Sequence, residues 1–128
     1  MAVTLPVSVI AEVKAVIANV DAWLPANPEA SLLHGDLWCG NLGLQGSEPV
    51  FYDPACYYGD AQVDLAMMVL FGHVPDSFYL SYQGRLPDAE EKNAWRVYDL
   101  YHLLNHFNLF GSGYAASVAR VAGQLLHQ

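Results

Sequence analysis

Charge is what this sequence has least of. Lys, Arg, Asp and Glu make up 14% of its 128 residues, against about a quarter of an average globular domain. Bases are scarcest, with 5 Lys and Arg against 13 Asp and Glu, for a formal charge of −8. No two of those bases adjoin, so the patch that would neutralise phosphates along a nucleic acid is missing, and nucleic acid is excluded as a partner. A cationic or metal-bound ligand suits the balance better. Cysteine is also rare: Cys39 and Cys56 form no spaced framework, which excludes a disulfide scaffold and points to a reducing cytoplasm. The apolar opening "MAVTLPVSVIAEVKAVIANV" lacks a basic lead and is interrupted by Glu12 and Lys14. Neither a signal peptide nor a membrane span fits it.

What remains is strongly apolar, at 54%. A chain of this length is expected to form one domain, residues 1–128, with a core that needs no staples. So much apolar surface is hard to hide in a small monomer. An exposed hydrophobic face that meets a second copy or another domain is therefore expected. Val7, Ile10, Ala11, Val13, Ile17, Val20 and Leu24 recur at helical spacing, which predicts a helix over 7–24 between Pro6 and Pro25. "SLLH" (31–34) and "VFYD" (50–53) read as short strands, with hairpin chemistry in "GLQGSEP" between them. Helices are predicted over 63–71, 75–83, 88–110 and 114–126, the long one with an apolar face of Trp95, Tyr98, Leu100, Tyr101, Leu103, Leu104 and Phe107. The fold class is α+β, mostly helical, with a small β element in the first half.

The chemistry concentrates in "HGDLWCGN", His34 to Asn41. Two glycines, an acid and an amide directly after a buried strand serve neither helix nor sheet. Asp36, Asn41 and the later Asp53 are expected to bring three oxygen ligands to the rim of a hairpin. Oxygen donors with few charges suit a Mg²⁺ that keeps waters and is completed by substrate phosphates. The order is that of a phosphoryl-transfer site: an Asp to accept a hydroxyl proton, an Asn five positions on for one metal, and a later Asp for the bridging metal. The plain alternative is an Asx-rich turn that bonds its own backbone. A hydrolytic metal site on Asp36, Asp53 and Asp60 lacks the further His or carboxylate of a two-metal centre. His102 and His106 stand one helical turn apart but read as packed helix histidines, and Cys56 as a small buried residue. Tyr57 and Tyr58 read as wall and core.

"HGDLWCGN" stands where protein kinases carry H-R-D-x-x-x-x-N, and "DPA" where they carry D-F-G. With "PVFYDPACYYGDAQVDLAMMVLFG" and "YDLYHLLNHFNLFGSGY", the stretch 31–114 resembles the fructosamine (ketosamine) kinase family, within the aminoglycoside phosphotransferase and protein-kinase-like fold. The resemblance implies the C-terminal lobe of such a fold, with a small β-hairpin carrying the catalytic and metal-binding loops. It implies Asp36 as catalytic base, Asn41 and Asp53 as ligands of Mg²⁺ on ATP, and Trp38 as an aromatic face for the sugar. His34 and Asp64 would orient the loop, Asp64 by accepting backbone N–H bonds besides capping its helix. The implied substrates are ATP and a ketosamine or sugar amine. The chain departs from the family at Cys39, usually Gly or Ser, and at Asp60, Ala61 and Gln62, which replace His-Arg-Glu.

Such a fold also needs a lobe with a Gly-rich loop and a strand lysine for the phosphates. Before His34 there is no Gly-rich strand-turn-strand, and Lys14 and Lys92 both fall on predicted helices. The nucleotide-binding lobe is therefore expected to be absent. Two functions follow: a Mg²⁺/ATP-dependent ketosamine kinase represented by its catalytic lobe, or a catalytically silent module that self-associates through the face the other lobe would cover.

Overall fold

The structure, a computed structural model, describes residues 3–128. Met1 and Ala2, the first positions of the expected domain 1–128, lie outside the described residues. The fold is a mostly helical α+β arrangement with small sheets. The chain divides into two compact units, one formed by the chain up to Ala26 with Arg96–Gln128, the other by Asn27–Trp95.

The first unit is helical. Helix α1 (Val7–Ala18) starts after Pro6, whose carbonyl accepts the Ile10 N–H at 3.0 Å. It stops six residues short of the expected 24. Asn19 leaves helical geometry at φ −119° and its amide donates to the Ala15 carbonyl at 2.8 Å, a side-chain bond that competes with another helical turn. A short 3₁₀ turn, Val20–Ala22, follows. The buried face of α1 is Val9, Val13 and Val16, whereas Val7 and Ile17, expected inside, are 85% and 64% exposed. A helix apolar on most sides cannot choose its inner face by period alone. The choice is made by α5 (Ala115–Leu126), against which α1 packs. Helix α5 presents Val118, Val121, Ala122 and Leu125 in one stripe, with Val118 and Ala122 fully buried.

Helix α4 (Ala89–Phe110) contributes Leu100, Leu103 and Phe107 to this core. Tyr101, expected on the apolar face, is 70% exposed. One polar group departs from the pattern. Among the described residues, Asp99 Oδ1 finds no hydrogen-bond partner. Burial lifts its carboxyl from 3.8 to about 7, opposed by Arg120 first and Arg96 second. Desolvation wins that contest.

The second unit holds α2 (Gln62–Leu70), α3 (Asp76–Gln83), the first turns of α4 and two antiparallel strand pairs. Strand β1 (Ala30–Leu33) pairs with β4 (Tyr57–Asp60), Leu33 opposite Tyr57. Strand β2 (Leu42–Gln45) pairs with β3 (Glu48–Phe51). The strands expected at 31–34 and 50–53 thus sit one and two residues earlier, in separate sheets. β2 and β4 were hidden because "LGLQ" and "YYGD" contain too few β-branched residues to read as strands. Gly46, at φ 67°, opens the two-residue connection of β2 to β3.

Two helix ends in this unit have defined caps. Gly84 closes α3 at φ 76°, donating to the Leu80 carbonyl at 3.0 Å. Asp88 and Glu91 form a reciprocal capping box at the start of α4, each carboxylate accepting the other's N–H at 2.9 Å. Arg85 grips Glu91 through both terminal guanidinium nitrogens, at 2.8 and 3.1 Å. Tyr79 of α3 stacks on Trp95 at 5.9 Å, and burial, aided by Asp76, raises its phenol above the ordinary value. Among the described residues, no helix is long and apolar enough to cross a membrane.

Candidate active site

Buried Leu33 ends β1, and buried Leu37 follows four residues later. Between these two anchors the chain must turn, and Gly35 does so at φ 85°. A Cβ there would stand 2.0 Å from the Ala55 carbonyl oxygen, so glycine is required for space as well as for conformation. The Ala55 N–H in turn donates to the His34 carbonyl at 2.8 Å. Residues 34–35 are thereby laced to the segment that follows Asp53.

Asp64 completes the bracing. Its Oδ2 accepts the His34 N–H at 2.8 Å and its Oδ1 the Gly35 N–H at 3.1 Å. It lies in the first turn of α2 but does not cap that helix: Ala61 occupies the cap with no side-chain bond. The expectation that Asp64 also caps α2 is corrected here, because both its oxygens are engaged by the loop. Asp60 stands nearest that role, its Oδ1 accepting the Gln62 N–H at 3.0 Å.

The His34 ring has one defined tautomer. The Asp36 N–H donates to Nδ1 at 3.2 Å, and Nε2 lies 2.8 Å from the Tyr52 carbonyl, which can only accept. The proton therefore resides on Nε2 and the imidazole is neutral. Asn41, the sole buried polar residue of the described core at 6% exposure, donates through Nδ2 to the Asp36 carbonyl at 2.8 Å and to Asp36 Oδ2 at 3.1 Å. Its own carbonyl accepts the Tyr52 N–H at 3.1 Å. Asp36 Oδ1 and Asn41 Oδ1 take no hydrogen bond from the described residues. Asp53 is exposed, sits two residues beyond β3 and adopts φ 51°, the only described residue other than glycine with a positive φ. Holding a non-glycine residue there costs on the order of 1 kcal/mol and marks a site worth testing.

The donor chemistry fits a hard divalent cation such as Mg²⁺. Asn41 is anchored through its nitrogen, which leaves the amide oxygen open to a ligand, and the Asp53 carboxylate carries no protein partner among the described residues. No group of three His, Cys, Asp or Glu among the described residues could cage an ion alone.

Trp38, 40% exposed, stands at the start of a 3₁₀ turn, Cys39–Asn41, closed by the Asn41 N–H on the Trp38 carbonyl at 2.9 Å. Both cysteines are free and exposed, so Cys56 is not the buried residue expected. Tyr57 and Tyr58, expected as wall and core, are 47% and 73% exposed. His106 points Nδ1 at the His102 carbonyl, 2.7 Å away. Sequence reasoning missed Gln62, whose Oε1 accepts the Trp95 indole N–H at 2.6 Å. It also missed the carbonyls of Tyr52 and Ala55, since backbone groups carry no signature in sequence.

An acid and an amide thus stand side by side in a turn after a strand, and a further acid, without a partner among the described residues, follows the next hairpin. A family model described as fructosamine kinase matches residues 6–128. The chain belongs to the fructosamine kinase family. It is 51% identical over 102 residues to a Synechocystis protein described as a "Probable ketoamine kinase", covering 77% of this chain and 34% of that relative. It is 42% identical over 97 residues to mouse ketosamine-3-kinase, covering 74% and 31%. A crystal structure from Thermobifida fusca, described as a "putative fructosamine-3-kinase", superposes with a TM-score of 0.76 at 30% identity, over 97% of this chain and 44% of that one. The chain spans roughly a third of the length of the curated relatives it matches.

Proposed function

We propose that this chain carries the catalytic loops of a Mg²⁺/ATP-dependent ketosamine kinase, the part corresponding to the C-terminal lobe of a kinase-like fold. The observation that bears most weight is the Asn41 carboxamide bridging to Asp36. Its nitrogen fixes one oxygen of the base while one oxygen of each residue stays open. Asp36 is the catalytic base: with Oδ2 held by Asn41, Oδ1 is left to accept the proton of a sugar hydroxyl as that oxygen attacks phosphorus. Asn41 and Asp53 would hold Mg²⁺, which when bound neutralises charge on the transferring phosphate.

His34 and Asp64 act on position. Asp64 fixes two successive amides ahead of Asp36, and the neutral His34 ring receives the Asp36 amide itself. A base restrained through its own backbone spends little entropy in finding the acceptor. Trp38 would offer a flat apolar face to the sugar and its ring electrons to an amine. The net charge of −8 favours an amine acceptor over an acidic one.

The test is phosphate transfer from ATP to a ketosamine, with this chain grafted in place of the matching segment of the Synechocystis relative. Asp36→Ala should lower turnover by about a thousandfold or more, the scale on which general-base and positioning effects combine. Sugar phosphorylation at the parent rate in that variant would end the proposal.

A further inference from the structure

Gly40 has ordinary backbone geometry, so conformation does not explain why the position lacks a side chain. Space does. A Cβ built on Gly40 would lie 2.2, 2.3 and 2.6 Å from Cη2, Cζ2 and Cζ3 of Trp38. All three are distal atoms of the benzenoid ring, so the indole is folded back over the turn that Trp38 itself begins. We infer that Gly40 is a positioning residue: its bare Cα seats the Trp38 indole and leaves a single ring face for the acceptor. The inference rests on the reading of Trp38 as the acceptor's aromatic contact and adds to it the residue that sets the ring's place.

The steric argument also says what would move. Outside the adjoining residues, the three atoms nearest an added Cβ all belong to the Trp38 ring, and no backbone atom is among them. Trp38 is 40% exposed, so its side chain has solvent to swing into. Asn41 next door is buried, bonded to Asp36 at 2.8 and 3.1 Å and tied to Tyr52. The softer group yields, so a methyl at position 40 evicts the indole and leaves the Asp36–Asn41 bridge in place. An indole resting on a bare Cα has its under-face closed. An acceptor then meets the outer face only, which suits one sugar face or an amine above the ring. A freed indole presents either face or neither.

The experiment is fluorine NMR of the chain labelled with 5-fluorotryptophan, paired with transfer kinetics in the grafted enzyme. Trp38→Leu assigns the resonance and also removes the three clashing atoms. Gly40→Ala should shift and broaden the Trp38 resonance while those of Trp23 and Trp95 stay put. In kinetics it should raise the acceptor KM about tenfold with kcat and the KM for Mg·ATP within about twofold, the pattern of lost ground-state binding. In the Trp38→Leu background the same change should cost nothing further, the non-additivity of residues that act through one contact. If Gly40→Ala fails to fold but Trp38→Leu/Gly40→Ala folds, the ring contact is upheld. An unshifted Trp38 resonance, or failure of both variants to fold, overturns the inference. A shifted resonance with an unchanged acceptor KM instead removes Trp38 from the acceptor site, overturning both Gly40's positioning role and that part of the proposed function while the packing contact stands.

Discussion

The helical unit and the unit that carries the site are held together by different kinds of contact. Around α1 and α5 the buried residues are almost all aliphatic, and the pairing of those helices depends on stripes such as Val118, Val121, Ala122 and Leu125. Around Asp36 the chain is irregular and is fixed by directed bonds, from two amides to Asp64, from Asn41 to Asp36, and from His34 to the carbonyl of Tyr52. Apolar packing tolerates many side chains of suitable volume. A directed bond tolerates few, because a donor left facing a donor loses its partner and its water together. The loop is therefore the less forgiving of exchanges that keep side-chain volume, although it buries less.

Substitutions can break or sharpen that contrast. The largest effect is expected at Leu103, 1% exposed in the helical unit. Leu103→Ala should cost about 3 kcal/mol through lost burial and the cavity left behind, seen as a lower denaturant midpoint. A cost under about 1 kcal/mol would mean the helices reclose around the gap.

Asp64→Asn should cost about 2 kcal/mol, since an amide can present oxygen to only one of the two N–H groups and turns a donor toward the other. Hydrogen exchange is the sharper measure, with protection lost first at the amides of His34 and Gly35. Unchanged protection there would show that other contacts hold the turn.

A smaller, pH-dependent effect is expected at Asp99, the polar exception among the helices. Its folded carboxyl titrates near 7 against an ordinary 3.8, so the folded state holds the proton more tightly than the unfolded chain. Stability from this group is complete below about pH 4 and is lost as pH rises toward 7. Asp99→Asn should therefore exceed the parent's stability by about 1–2 kcal/mol at pH 8, with the gap closing by pH 4. A gap independent of pH would place the carboxyl in water.

Much of this contrast could be read from residue order, and the unread part has identifiable causes. Helices α2 to α5 fall within a residue or two of expectation, because Pro75, Asp88 and Gly84 and the apolar periods mark them locally. The inner face of α1 was misread, since valines and isoleucines surround that helix and only its neighbour decides which are covered. The strand pairing was misread for a related reason: β1 finds its partner beyond an intervening hairpin, and separation of that kind leaves no trace in a short window. Asp36, Asn41, Asp53 and Asp64 were legible as residues. That Asn41 grips Asp36 by its nitrogen, and that Asp64 forgoes its helix for the loop, depends on where each side chain is aimed.

Gly35 limits how this protein can diversify. With the oxygen of Ala55 filling the only place a substituent could go, a library randomised at that codon should return a single survivor wherever the turn is kept. Engineering of acceptor preference must then work from the outer rim of the loop inward, because its inner corner admits no alternative letter.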